Sequence, residues 1–356
     1  MIHFVYLNVL PSLTHSLGEY LFFDMITDFV FGRSYNLLDS PEYRYVPAAI
    51  KASNKRVSVL VQAPEITFKR MDKKLFPEAI LARNQFLKFV KMVVTDKMQA
   101  KSGKDVFNIL ASAKDPETNQ GFNMLELGAE SISLIVAGSD TTSTLMASLF
   151  FYLSHNRGVY DAAVHEVRTC FASASEIRLG TKLNSCKYLR ACIDESLRMS
   201  PPVGAALFRE ALVGGATVDG QYIPEGIAVG TGIYSIHHSP LYFPEPFAFR
   251  PERWLDRTAP VFEGYAPFSL GNRGCIGKGL ALMEAMLTMA TVLYTFDFET
   301  APGCESFGGG CIDAPWGRHR ENEFQLREHL TADTAGPLLR FRYRKDVGQG
   351  LEDGWM

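Results

Sequence analysis

The chain has 356 residues, with 36 basic and 39 acidic side chains and a formal charge of −3, so it lacks the basic surplus of a nucleic-acid binder. Apolar residues make up 47% and charged residues 21%, which excludes a disordered chain and provides for a large core. The six cysteines (Cys170, Cys186, Cys192, Cys275, Cys304, Cys311) form no C-x-x-C pair and no disulfide-framework spacing, a pattern of reducing compartments.

Residues 1–13 are apolar but include His3 and have no basic flank. They are too short to span a bilayer and lack a signal peptide's layout. Residues 16–31 carry apolar side chains at Leu17, Leu21, Phe22, Met25, Ile26, Phe29 and Val30, a helical stripe that Gly32 stops. Pro77 suits a first helical turn, and the helical pattern runs over 78–101. Asn123, with Glu126 three residues later, predicts a capped helix reaching about residue 152. At ~45 Å it would cross a whole domain. Its apolar stretch 127–153 is long enough for a membrane, but Glu130 and Asp140 lie inside it. A central aspartate costs ~2.5–3.5 kcal/mol on insertion, so the stretch reads as a buried helix.

Two more helices are predicted over 157–172 and 184–199, the second ended by Pro201 and Pro202. Residues 213–231 alternate with Gly214, Gly215, Gly220, Pro224 and Gly226, as short strands and turns do. Helix returns over 278–296, 301–318 reads as loop, and 338–343 as a closing strand. No repeat or linker divides the chain, so 1–356 reads as one domain, mainly α with a minor β region.

The most informative stretch is Phe268-Ser-Leu-Gly-Asn-Arg-Gly-Cys275-Ile-Gly277. It places a cysteine on a glycine-bounded loop just before a long helix, whose free N–H groups favour the thiolate. Such a thiolate suits a haem iron as axial ligand: Gly271 and Gly277 allow the turn and close approach, and Arg273 can meet a propionate. Three further segments stand in order before or beside it: Ala137-Gly-Ser-Asp-Thr-Thr142, Glu195-Ser-Leu-Arg198 and Pro251-Glu-Arg-Trp254.

Together these four segments resemble the cytochrome P450 family of haem-thiolate monooxygenases. The resemblance implies a cytochrome P450 fold with haem as cofactor and Cys275 as its iron ligand. Asp140 and Thr141 fall on the family's acid–alcohol pair for proton delivery, with Ala137 and Gly138 leaving room beside the iron. Glu195, Arg198 and Arg253 fall on a buried cluster that braces the cysteine loop, a structural role. Arg209 falls where a basic residue reaches a haem propionate, and Phe268 where an aromatic packs on the porphyrin. His237 and His238 lie in a stretch the family uses structurally, so no catalytic role is assigned. Trp316 and Arg320 satisfy a W-x-x-x-R spacing but follow the cysteine loop, outside the family's place for it. Ile135, Val136 and Val203 would face the substrate.

The resemblance matches about the last two-thirds of a typical microsomal member. The membrane anchor, the proline hinge, the first helices and most of the first sheet have no counterpart, which implies an N-terminally truncated chain. The C-terminal run resembles filamentous-fungal members of secondary metabolism, and implies a small apolar substrate. An intracellular enzyme of this kind draws electrons from NADPH-cytochrome P450 reductase at the endoplasmic reticulum. The absence of a nucleotide-binding glycine motif agrees with an external electron source. Two alternatives stay open: a remnant that binds no haem, and a haem-thiolate isomerase or dehydratase. The Asp140–Thr141 pair counts against the second.

Overall fold

A computed structural model describes residues 14–100, 103–256 and 263–344 of the chain; the apolar stretch 1–13 lies outside them. Helix α1 (Thr14–Phe31) ends where Gly32, at φ +63°, donates its N–H to Asp28 O at 2.7 Å. That left-handed stop is the one expected of a glycine there. Helices α2 (Tyr45–Gln62), α3 (Met71–Leu75), α4 (Pro77–Ala100) and α5 (Val106–Ser112) follow. The sequence reading missed α2.

Helix α6 (Met124–His155) has 32 residues, ~48 Å of rise. Its start is a full capping box, with Asn123 Oδ1 accepting from Glu126 N and Glu126 Oε2 accepting from Asn123 N. By length and composition it is apolar enough to cross a membrane. In this fold it is the axle of two apolar clusters. Leu127 and Ile135 join a cluster with α1, α2, α4 and α5, while Leu145, Leu149 and Leu153 join a second one. That second cluster contains α7 (Arg157–Cys170), α9 (Lys187–Met199) and α11 (Lys278–Thr295), with α8 (Thr181–Asn184) between α7 and α9.

Between the two clusters α6 carries a buried polar band, Ser139, Asp140, Thr142, Ser143 and Thr144. Most of these groups are satisfied close by: Ser139 donates to Ile135 O, Ser143 to Asp140 O and Thr144 to Ala332 O. A hydroxyl bonded back to its own helix costs little, so the band interrupts the core without breaking the helix.

Among the described residues the β portion is four two-stranded ribbons. Strands β1 (Arg209–Glu210) and β4 (Ala228–Val229) pair, as do β2 (Ala216–Val218) and β3 (Gln221–Ile223). The short α10 (Ile233–His237) follows them. Strand β5 (Phe296–Thr300) leaves α11 and pairs with β8 (Leu339–Tyr343), whose Phe341 packs against Phe298. Hairpin β6 (Leu326–His329) and β7 (Thr331–Thr334), absent from the sequence reading, tucks between α2 and α6. The mainly α architecture with a minor β part agrees with expectation.

Candidate active site

The cysteine loop is a sequence of tight turns. Ser269 N–H donates to Ala266 O at 3.0 Å, Gly274 N–H to Gly271 O at 2.9 Å, and Cys275 N–H to Phe268 O at 2.8 Å. Gly271 sits at φ +71°, where a side chain would be strained. Gly277 differs: at φ −83° its backbone suits any residue, and an added Cβ would meet only Cys275 Sγ, at 3.8 Å. Its bareness keeps the flank of the sulfur clear; the turn itself rests on Gly271.

Cys275 is exposed just before the 18-residue α11. Leu270 and Ile276 flank it, 72% and 99% exposed. Apolar side chains held in water beside a thiol form a surface that a flat apolar group would cover. Arg273 adds an exposed guanidinium with no acidic partner among the described residues. Phe268 is half-buried against the core, with Lys278 Nζ 5.8 Å from its ring centre. A soft thiolate donor, apolar flanks and a free cation fit the haem that the resemblance implies.

The loop is braced from below by one carboxylate. Glu195 Oε1 accepts from Arg198 Nη2 at 2.9 Å, Arg253 Nε at 3.0 Å and Arg250 N at 3.0 Å. Its Oε2 accepts from Arg198 Nε and Trp254 Nε1, both at 2.9 Å. Arg198 Nη1 reaches the carbonyls of His237 and Pro246, both at 2.8 Å. The last link is His237, a residue the sequence reading left as structural. Its Nε2 accepts from Ala266 N at 3.0 Å, so Nδ1 carries the proton and donates to Arg198 O at 3.1 Å. The imidazole thus ties the brace to the first turn of the cysteine loop.

Burial pushes the His237 pKa from 6.5 down to about 3. Between those values the unfolded chain binds the proton and the folded one does not. The stabilisation is therefore whole above pH ~6.5 and is lost as pH falls toward 3. Replacing His237 with Gln is expected to flatten the acid limb of stability by close to one proton, ~1.4 kcal/mol per pH unit. Urea midpoints measured from pH 4 to 7 check this; parallel curves for the two proteins would count against it.

Helix α6 supplies a second surface. Ala137 is exposed and Thr141, one turn later, is half-exposed, its Oγ1 donating to Ala137 O at 2.6 Å. Leu280 of α11, shortly after Cys275, packs on the apolar cluster that contains Ile135 of α6. Gly138 does not leave room on that surface. A Cβ there would lie 2.5 Å from Ile26 Cδ1 and Cγ1, so the glycine lets α1 approach α6. Ile135 is likewise fully buried among α1, α2 and α4 and faces no cavity, and Val136 packs against the same cluster. Arg209 is exposed on β1 and donates to the carbonyls of Leu207 and Phe208 in its own segment; the structure does not bring it to the loop.

Asp140 and Thr141 are neighbours with different surroundings. Asp140 is 8% exposed, and its Oδ2 accepts from Asn54 Nδ2 at 3.2 Å and Thr331 Oγ1 at 3.0 Å. Burial pushes its pKa up to about 7, opposed by the Thr331 hydrogen bond. Beside it lies a cavity of about 10 Å³, lined also by Lys51, His329 and Asp333, room for about one water. Lys51 pairs with Glu19 and, at 3.0 Å, with Asp333. These partners are 86 and 191 residues from Asp140, and no local pattern could have named them.

A separate cavity of about 400 Å³ opens where the end of α2, residues 203–207 and the β6–β7 hairpin meet. Val203 lines it, together with Val59, Val61, Leu207 and Leu330.

Known proteins resemble this chain in sequence and in fold. Residues 13–306 match the family described as Cytochrome P450. A cytochrome P450 monooxygenase of Gibberella zeae is 48% identical over 334 residues, covering 93% of this chain and 78% of the relative. Cytochrome P450 monooxygenase AKT7 of Alternaria alternata is 47% identical over 91% of this chain, and poxM of Penicillium oxalicum 46% over 91%. The chain spans 65% and 61% of the lengths of these last two. A crystal structure of the cytochrome P450DA heme domain superposes with a TM-score of 0.73 at 21% identity, covering 93% of this chain and 68% of that one, which shows the shared fold.

Proposed function

The chain belongs to the cytochrome P450 family, and from that premise we propose that it is a haem-thiolate monooxygenase acting on a small apolar molecule in fungal secondary metabolism. Its electrons come from NADPH-cytochrome P450 reductase at the endoplasmic reticulum. The observation that carries the reading is the exposed Cys275 thiol, fixed by its own turns and by the Glu195 brace in front of α11.

When bound, haem supplies the activation of dioxygen and the transfer of one oxygen atom, with Cys275 as the electron-donating ligand. Cys275 would hold the iron, and Arg273 would offer its guanidinium to a carboxylate of the group. Thr141 presents a hydroxyl on the open face of α6. Asp140, poised near neutrality, is an acid that can hold and release a proton at working pH. Lys51, Glu19 and Asp333, each partly exposed, form an ion-pair group close to it. The 400 Å³ cavity with apolar walls is of a size for a small organic substrate. The intact acid–hydroxyl pair favours this reading over an isomerase or dehydratase. Expressed with haem, reduced and exposed to CO, the chain should show a strongly red-shifted Soret band. An unshifted band, or no bound haem, would overturn the assignment.

The acid has a measurable cost. The folded pKa of Asp140 is about 7 against 3.8 in an unfolded chain, so the folded state binds the extra proton between those values. Its stability is whole below pH ~4 and declines as pH rises toward 7. Asp140→Asn is therefore expected to stabilise the fold by an increment that grows from pH 4 to 7, even as proton delivery is lost. Thermal melts across that range test it; a pH-independent difference would contradict the buried-acid account.

A further inference from the structure

The 400 Å³ cavity contains one ionisable side chain, Glu328, among its described lining residues. We propose that Glu328 selects substrates that carry a protonated amine on an apolar body. This deepens the monooxygenase reading and rests on it for the identity of the cavity as a substrate site.

Glu328 lies on β6 opposite Ala332 of β7. The hairpin is fixed there by Ala332 N–H donating to Pro202 O at 2.8 Å and by Thr144 Oγ1 donating to Ala332 O at 3.2 Å. Glu328 Oε2 lies against the backbone at Gly204, where an added Cβ would stand 3.4 Å from it, an ordinary contact. The fixed hairpin thus presents the carboxylate at the cavity before any ligand arrives, which lowers the cost of recognition. The hairpin divides two tasks: Glu328 of β6 and Leu330 of the turn line this cavity, while His329 of β6 and its partner Thr331 of β7 line the small one at Asp140.

No cation pairs with Glu328 among the described residues. The cavity is otherwise lined mainly by apolar residues, Val59, Val61, Val203, Ala205 and Leu330 among them, with Ser58 and Gln62. Glu328 itself is exposed, so it stands at the rim, where a carboxylate without a counter-charge is met by a cation that also donates a hydrogen bond. A protonated amine does both, and its hydrocarbon part suits the walls.

The test is calorimetric titration of the haem-loaded protein with N,N-dimethyloctylamine, 1-octanol and octanoate at neutral pH. The tertiary amine is protonated and hindered as an iron ligand, so its affinity reads the cavity. The amine should bind about tenfold more tightly than the alcohol, as expected of one charge-assisted hydrogen bond, and octanoate most weakly. Glu328→Gln keeps the size of an exposed side chain, and should melt like the wild type while losing the preference. Equal affinity for amine and alcohol, or a preference that survives in E328Q, would overturn the proposal. The reduced, CO-bound spectrum reads the sulfur ligand independently. A protein with the shifted band and no amine preference refutes the Glu328 assignment alone, whereas one without the band refutes the monooxygenase reading.

Discussion

Glu195→Ala is expected to abolish the cooperative fold, and with it any capacity to hold haem. The side chains of Glu195 and Arg198 are both fully buried and that of Arg253 is 7% exposed. One carboxylate balances both cations and accepts two more hydrogen bonds, from Arg250 N and Trp254 Nε1. Removing one partner of a buried ion pair costs about 3–5 kcal/mol, because the remaining charge keeps its desolvation penalty. Here two guanidiniums are stranded together, and Arg253 Nη2 is already buried without a partner. Each orphaned N–H adds about 1–3 kcal/mol. The sum reaches the whole stability of an ordinary domain, about 5–15 kcal/mol. A surface pair gives the contrast: Arg157–Asp161 is 69% and 56% exposed, and Asp161→Ala should shift stability by less than about 1 kcal/mol. Soluble yield and a urea transition distinguish the two. A Glu195→Ala protein that unfolds cooperatively at the wild-type midpoint would sink the brace argument.

The same contrast explains what the sequence could and could not disclose. Features set by neighbours in the chain were legible: the Asn123–Glu126 box, the Gly32 stop, the Gly271 turn and the cysteine at the foot of α11 depend on a few adjacent residues. Features set by distant packing were not. A glycine in a helix marks a close approach without saying what approaches, and Gly138 admits Ile26 of α1. Ile135 shares an apolar stripe with cavity-facing residues in many helices, and its direction depends on where α1, α2 and α4 settle. Arg209 has a guanidinium able to reach in several directions, and its own strand takes it. The β6–β7 hairpin is polar and short, stabilised by Pro202, Thr144 and Asn54 from elsewhere in the chain. Yet that hairpin carries both Thr331, the partner of Asp140, and Glu328 of the large cavity. The chemistry-bearing motifs were visible, but the second strand of residues that tunes them was not.

Cys275→Ser should have the opposite profile to Glu195→Ala: nearly unchanged folding and complete loss of thiolate ligation. The residue is exposed, and the loop's turns are made by the backbone of residues 266–275. Exchanging sulfur for oxygen on an exposed side chain removes no buried contact, so the expected change in stability is within about 0.5 kcal/mol. A serine hydroxyl, however, stays protonated at neutral pH and is a hard, weak donor, whereas a cysteine sulfur is a soft ligand suited to iron. The red-shifted Soret band of the reduced CO complex depends on that electron-rich sulfur. The band should therefore vanish in the serine variant while far-ultraviolet dichroism and the melting transition remain. If the shifted band persists, another residue ligates the iron and the site described here is misplaced. If instead the variant fails to fold, the loop is part of the folding core and the exposure of Cys275 does not describe its surroundings. Only separation of the two readouts, fold kept and ligation lost, is consistent with a thiol positioned for a bound iron.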